Sequence, residues 1–336
     1  MPLSRDRKTP EWAAAFAEAT AGFLSGKIRW HEPMADYTTY RIGGPAEALV
    51  FPESSSEIAR LLQVLRRLDV PSLLLGRGSN VLVADSGVRG VVIVLGRSFG
   101  AIEIVGQVAA GVLIRVEAGC ALARLVNWTV EQGLAGLEFA VGIPGSVGGA
   151  IVMNAGAWQQ EMRDVLEQVT LMDGCGAVAV RPVTQMAFSY RSWGEASDRI
   201  ALEGRFLLAP DDKEEIRRRC LANLAKRRAR QPRMAASCGS FFKNPGGGRT
   251  AGQLIDQAGL KGVRVGGAMV SPVHANFLVN CGGATASDIL NLMKVVQDRV
   301  AETFGVLLEP EVRFVGIKSR TGHDLPGPPR QNITRT

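Results

Sequence analysis

A hydroxyl and a cluster of charged groups are the chemistry-bearing features of this chain. Ser240 stands in Gly239-Ser240-Phe241-Phe242-Lys243-Asn244-Pro245, a nucleophile or acid held between glycine and two aromatics. Further on the chain reads Leu308-Glu309-Pro310-Glu311-Val312-Arg313-Phe314. Side chains alternate faces along a strand, so Glu309, Glu311 and Arg313 are expected on one face, with Val312 and Phe314 on the other. A hydroxyl, a carboxylate and guanidinium groups are what an enzyme needs to protonate and stabilise a developing carbanion.

Two glycine-rich runs precede these segments. Gly76-Arg77-Gly78-Ser79-Asn80 fails as a dinucleotide fingerprint, because the third glycine is missing and a strand follows where a helix is required. Gly142-Ile143-Pro144-Gly145-Ser146-Val147-Gly148-Gly149 is the second run, followed by Met153-Asn154-Ala155-Gly156. Each alone reads as a tight turn. Together, two polar glycine loops whose N–H groups converge read as a clamp for a diphosphate.

Elements must position these groups. Ser54-Ser55-Ser56-Glu57 has the form of a capping box, opening a helix with Ile58, Leu61, Leu62, Leu65 and Leu68 on one face. Pro71 ends it, and Ser72–Leu75 reads as a buried strand, with further strands at Val81–Val83 and Val91–Leu95. Residues 101–118 alternate as a hairpin turning near Ala109–Gly111, and Ala121–Gln132 is a helix. Leu134–Gly156 reads as a long loop, and loops of that length are usually functional. Strands at about 165–172, 177–181 and 200–209 precede a helix from Asp211 to Arg230, acidic at its start and basic at its end, as the helix dipole favours. A short helix at Thr250–Ala258 precedes strands near 263–265, 268–270 and 276–280. A last helix runs from Thr285 to Phe304, and a strand at Val306–Val315 closes the pattern. Strands and helices without regular βαβ alternation argue for an α+β fold.

Composition narrows the class. The 336 residues suffice for two or three cores, and no apolar run reaches the ~18–20 residues of a membrane span. The formal charge is +7, but five of these charges sit in residues 1–10 and 316–336, which weakens a nucleic-acid reading. Residues 1–24 read as an amphipathic helical extension without a signal-peptide cleavage site, and residues 317–336 as a disordered tail. Five scattered cysteines suit free thiols in a reducing cytoplasm. Three histidines, with no close Cys/His spacing, make a metal site unexpected. His274 reads as a structural residue, and the 217–230 basic run as a solvated helix end from which one arginine could face a nucleotide.

Tyr37-Thr38-Thr39-Tyr40-Arg41-Ile42-Gly43-Gly44-Pro45-Ala46, Gly76–Asn80 and Gly142–Gly149 resemble the FAD-binding elements of the vanillyl-alcohol-oxidase/PCMH flavoprotein superfamily. With the Ser240 and Glu311 segments, the chain from about Trp30 to Val315 resembles the UDP-N-acetylenolpyruvoylglucosamine reductases of cell-wall synthesis, in their shorter subtype, which lacks a substrate-covering segment. The resemblance implies a first FAD-binding subdomain at 25–98, joined by the strand at 307–316. It implies a second at 99–210 and an α+β substrate domain at 211–306.

It also implies noncovalent FAD on Gly76, Arg77, Gly78, Ser79, Asn80, Gly142, Ile143, Pro144, Gly145, Ser146, Gly148, Gly149, Asn154 and Gly156. Through Tyr190-Arg191-Ser192 and the two segments above, it implies a catalytic arginine at Arg191, a proton donor at Ser240 and a catalytic glutamate at Glu311. Lys243 and Asn244 become candidates for the sugar or phosphate groups. The activity implied is NADPH-dependent reduction of a UDP-sugar enolpyruvyl ether by a cytoplasmic monomer. The rival readings are another FAD-dependent sugar or alcohol oxidoreductase, and a nonenzymatic nucleic-acid binder using the basic tails.

Overall fold

A computed structural model describes residues 9–24, 28–196, 198–232 and 236–317. The expected tail at 317–336 lies almost wholly outside the described residues. The helices are α1 (Ala13–Thr20), α2 (Ser55–Arg67), α3 (Leu122–Gln132), α4 (Val147–Val152), α5 (Lys213–Arg230), α6 (Ala251–Gln257) and α7 (Ala286–Phe304).

The first sheet orders its strands Ile28–Pro33, Pro45–Val50, Val88–Val94 and Ser72–Leu75. Its first pair is antiparallel and the others parallel. On one face lies α2, whose Ile58, Leu61, Leu62 and Leu65 pack with Ala48, Val50, Val91 and Ile93. Ser54 caps α2 by accepting the Glu57 N–H, but the Glu57 carboxylate reaches the Glu53 N–H, so the reciprocal bond of the capping box is shifted by one residue. The helical extension is present as α1, and its Phe16 is fully buried in the same core, edge-on to Trp12 and Trp30. On the opposite face, Val81–Val83 pairs in parallel with Arg313–Val315. That pairing brings the far end of the chain back beside the first glycine loop.

The second sheet is antiparallel, ordered Val178–Pro182, Leu166–Met172, Ile200–Pro210, Gly111–Glu117 and Ile102–Val108, with Leu134–Ala135 pairing the far end of Ile200–Pro210. The hairpin turns at Ala109–Ala110 as expected. α3 and α4 cover this sheet through Leu125, Val126, Val147 and Ile151. The expected boundary at residue 211 divides the chain differently from the packing. Ile216 and Cys220 of α5 are buried in this second core, because the rest of α5 is too polar to form a core of its own.

A smaller antiparallel sheet of Arg264–Val265, Ala268–Val270 and Leu278–Asn280 packs with α6, α7, Phe241 and Phe242. Tyr40 docks it to the first sheet, donating to Leu278 O at 2.8 Å from a fully buried ring.

Two further sequence expectations change. The loop at 134–156 contains α4, whose N-cap Ser146 accepts the Gly149 N–H. The closing strand is confined to Arg313–Val315, since Pro310 has no N–H to give a ladder. Residues 309–311 are held instead by one antiparallel bridge, Phe242 to Pro310.

Candidate active site

That bridge is the frame of the site. Lys243 N–H donates to Glu309 O and Glu311 N–H to Phe241 O, both at 2.8 Å. Phe241 N–H in turn donates to Asn276 O at 2.7 Å. The Glu311 carbonyl accepts from Asn80 Nδ2 at 3.2 Å. Glu311 is thus tied at its N–H to the Ser240 segment and at its carbonyl to the first glycine loop.

The glycine loops pack on one another. Ser79 Oγ donates to Pro144 O at 3.1 Å. Gly78 has φ +60°, and a Cβ there would lie 1.9 Å from Tyr37 O; Gly145 has φ +139°, with a Cβ position 3.0 Å from Ser79 Oγ. Neither position accepts a side chain at its observed backbone conformation. Among the described residues, no acceptor takes the backbone N–H groups of Gly76 through Asn80. A row of free N–H groups on a rigid turn suits an anion.

A cavity of about 480 Å³ opens between these loops and the Ser240–Glu311 frame. Gly76, Arg77, Gly78, Ser79, Asn80, Ile143, Pro144, Gly145, Ser146, Gly148, Gly149 and Gly156 line it, as do Arg191, Ser240 and Glu311. Four expected site residues do not. Gly142 faces α5, where a Cβ would come within 3.3 Å of Arg227 Cδ. Asn154 is fully buried beneath the site. Lys243 pairs with Glu309 at 2.5 Å, and Asn244 Oδ1 accepts the Ala251 N–H. Both sit on the outer side of the Ser240 segment, although the Lys243 charge still reaches Glu311. Glu309 is 70% exposed, so only Glu311 and Arg313 of the three same-face residues turn inward, the bridge at Pro310 having broken the strand.

Arg191 Nε lies 2.8 Å from Glu311 Oε1, with the side chains 20% and 15% exposed. Its N–H is poorly aligned with that oxygen, so the contact holds the guanidinium as a close ion pair against the carboxylate. The guanidinium stacks over the Tyr190 ring at 4.9 Å. Burial pushes the Glu311 carboxyl above its ordinary range, and the Arg191 and Lys243 charges oppose the shift without cancelling it. The Ser240 hydroxyl makes no hydrogen bond to any described residue and is free for a ligand.

Sequence reasoning missed the depth of positive charge. Arg199, Lys226, Arg227, Arg230 and Arg313 also line the cavity, whereas Glu311 is the one carboxylate on its wall among the described residues. Burial holds the Arg227 and Arg313 guanidinium groups below their usual range, with Arg191 adding to the effect at Arg227. Cations kept in so costly a place call for an anionic ligand. Position at the end of α5 was the available signal for three of them. Trp158, at the tip of the Gly156–Glu161 hairpin with Lys226 Nζ 5.5 Å from its ring centroid, gave no sequence signal. His274 also lines the cavity; Nδ1 accepts the Asn276 N–H, and burial lowers its pKa.

These features fit a bound dinucleotide: free N–H groups on a turn, apolar walls from Leu74, Ile143 and Val152, and surplus positive charge. The comparisons with known proteins agree. Residues 46–180 match the FAD-binding domain family, which defines a flavoprotein of α+β fold. Residues 231–315 match the C-terminal domain of UDP-N-acetylenolpyruvoylglucosamine reductase. A UDP-N-acetylenolpyruvoylglucosamine reductase from Desulfosudis oleivorans is 45% identical over 86% of this chain and 95% of its own length. The Bacillus subtilis reductase is 40% identical over 87% of this chain and 95% of its own. The crystal structure of the Thermus caldophilus reductase, 39% identical, superposes with a TM-score of 0.74 over 86% of this chain and 99% of the other. The chain belongs to the UDP-N-acetylenolpyruvoylglucosamine reductase family.

Proposed function

We propose that this protein reduces UDP-N-acetyl-3-O-(1-carboxyvinyl)glucosamine to UDP-N-acetylmuramate with NADPH, in peptidoglycan precursor synthesis. The observation that carries the reading is the convergence of Arg191, Ser240 and Glu311 on the cavity walled by both glycine loops. Noncovalent FAD would rest on Gly76–Asn80 and Ile143–Gly149, where it would supply the hydride relay between the two nucleotides.

When hydride adds to the terminal carbon of the enolpyruvyl ether, negative charge builds on the adjacent carbon and spreads into the carboxylate. The Arg191 guanidinium, held at Nε beside Glu311, lines the cavity and offers that charge a fixed cation. Ser240 Oγ gives the carbon its proton; a hydroxyl is a weak acid, but a dienolate-like carbon is a strong base. Glu311 fixes the guanidinium from below and, with its raised pKa, can share the proton path. The cations at the end of α5 suit the diphosphates of both nucleotides.

All five cysteines are free thiols, which suits the reducing cytoplasm. No helix of the described residues is long and apolar enough to cross a membrane.

The test is anaerobic incubation of the purified protein with NADPH and the enolpyruvyl nucleotide, followed by mass spectrometry. The expected product is two hydrogens heavier than the nucleotide supplied, and it forms only when both nucleotides are present. An unchanged nucleotide would exclude the reading. A further FAD-dependent sugar or alcohol oxidase is the rival, and it would instead consume oxygen.

A further inference from the structure

Arg191 occupies a backbone conformation that arginine seldom adopts. It is the third residue of the turn Ser189–Ser192, closed by Ser189 N–H to Ser192 O at 2.9 Å and Ser192 N–H to Ser189 O at 3.1 Å. Its φ is +61°. That left-handed position in a four-residue turn favours glycine or asparagine, and a long side chain there is strained unless its surroundings hold it. Tyr190 beneath the guanidinium is itself 48% exposed and gives the turn little anchorage.

Phe188 and Trp193 on either side of the turn pack into the second core, and Asn154 is the side chain that hydrogen-bonds the turn's own backbone among the described residues. Asn154 follows α4 with φ +41°, a conformation asparagine tolerates, and its side chain is completely buried. Nδ2 donates to Ser189 O at 3.1 Å, and Oδ1 accepts the Arg163 N–H, also at 3.1 Å. Ser189 O is the carbonyl that closes the Arg191 turn, so the amide grips the turn at its first residue. The other end of α4 begins at Ser146, on the wall of the cavity. One six-residue helix therefore joins the second glycine loop to the turn that carries Arg191.

We propose that Asn154 is a positioning residue for Arg191, holding the Ser189–Ser192 turn so that the guanidinium stays over Glu311 and the substrate carboxylate. This rests on the catalytic reading of Arg191 given above. The amide is the side chain the role demands. A carboxylate in its place would keep the acceptor for Arg163 but lose the donor to Ser189. Glycine would keep the left-handed backbone and lose both bonds.

Asn154→Asp and Asn154→Gly test this in the flavin-loaded enzyme. FAD content reports on folding, and stopped-flow absorbance separates bleaching by NADPH from reoxidation by the enolpyruvyl nucleotide. Reoxidation should slow by about 10- to 100-fold in both variants, the scale of a small misplacement of a reacting group. Bleaching should slow at least about tenfold less. In an Arg191→Lys background, adding either Asn154 variant should slow reoxidation by no more than about twofold further, because the residue acts through Arg191.

If one variant loses its flavin, the other carries the measurement. Equal slowing of both half-reactions would overturn the proposal, leaving Asn154 a packing residue. So would full additivity with Arg191→Lys, or parental reoxidation in Asn154→Asp. If Arg191→Lys slows reoxidation while the Asn154 variants do not, only this inference falls. If Arg191→Lys reoxidises at the parental rate, the catalytic reading of Arg191 falls as well.

Discussion

At the scale of single residues, the site rests on three side chains with different tasks, and each has its own signature. Arg191→Lys keeps the charge but loses the planar fork and the stacked contact with Tyr190. Turnover should fall by roughly 10²-fold, on the scale of losing one preorganised donor, with FAD content nearly unchanged. Near-parental turnover would reduce Arg191 to a bystander. Ser240→Ala should still bleach with NADPH at close to the parental rate, since that step needs no proton donor to carbon. Its reoxidation by the enolpyruvyl nucleotide should slow by roughly 10²–10⁴-fold. The reverse pattern would remove Ser240 from the proton path.

Glu311 gives a prediction about stability. Its folded pKa is raised by burial, so between its unfolded and folded values the native state holds a proton that the unfolded chain has lost. Stability of the flavin-free protein should therefore fall as pH rises through that window. Glu311→Gln should melt higher than the parent above the window, and the difference should shrink on acidification. A variant that melts lower near neutrality, by calorimetry across pH, would contradict the dominance of burial.

At the scale of elements, the glycine loops carry their own test. Gly145→Val forces a branched side chain onto a backbone at φ +139°, and a Cβ at Gly148 would lie 2.7 Å from Ala118 Cβ. Both valine variants should purify with less FAD, read from the ratio of flavin to protein absorbance. Full occupancy in both would refute the loop assignment.

Much of this level was legible in the sequence. The apolar face of α2 and the turn after Leu75 follow from local patterns, and α7 starts just after Thr285, its N-cap. The rest depended on contacts distant in sequence. Pro310, with no N–H for a ladder, was a local sign that the closing strand is short, but its pairing with Phe242 is one no local pattern encodes. α5 reads as a helix from its charges, but only two small buried positions, Ile216 and Cys220, say which core it joins. The family resemblance implies Asn154 on the flavin, whereas its amide faces Ser189, a contact 35 residues away that no local pattern encodes.

At the scale of the molecule, three packed units meet at one cavity, and the chain ends tie them together. Tyr40 and Asn280 join the first sheet to the three-stranded one, by Tyr40 OH to Leu278 O and Asn280 Nδ2 to Tyr40 O. Arg313–Val315 returns beside Val81–Val83, so Glu311 reaches the site from the last described stretch of chain. The net effect is a basic cleft in a protein whose formal charge of +7 lies mostly in its tails.

On the proposed reading, this cleft passes electrons from a pyridine nucleotide to an enolpyruvyl nucleotide through one bound flavin. The most direct measurement is the visible spectrum of the purified protein under strict anaerobiosis. The protein should be yellow, lose its flavin band on addition of one equivalent of NADPH, and regain it when one equivalent of UDP-N-acetylglucosamine enolpyruvate is added. Colour that returns only when air is admitted would contradict the account.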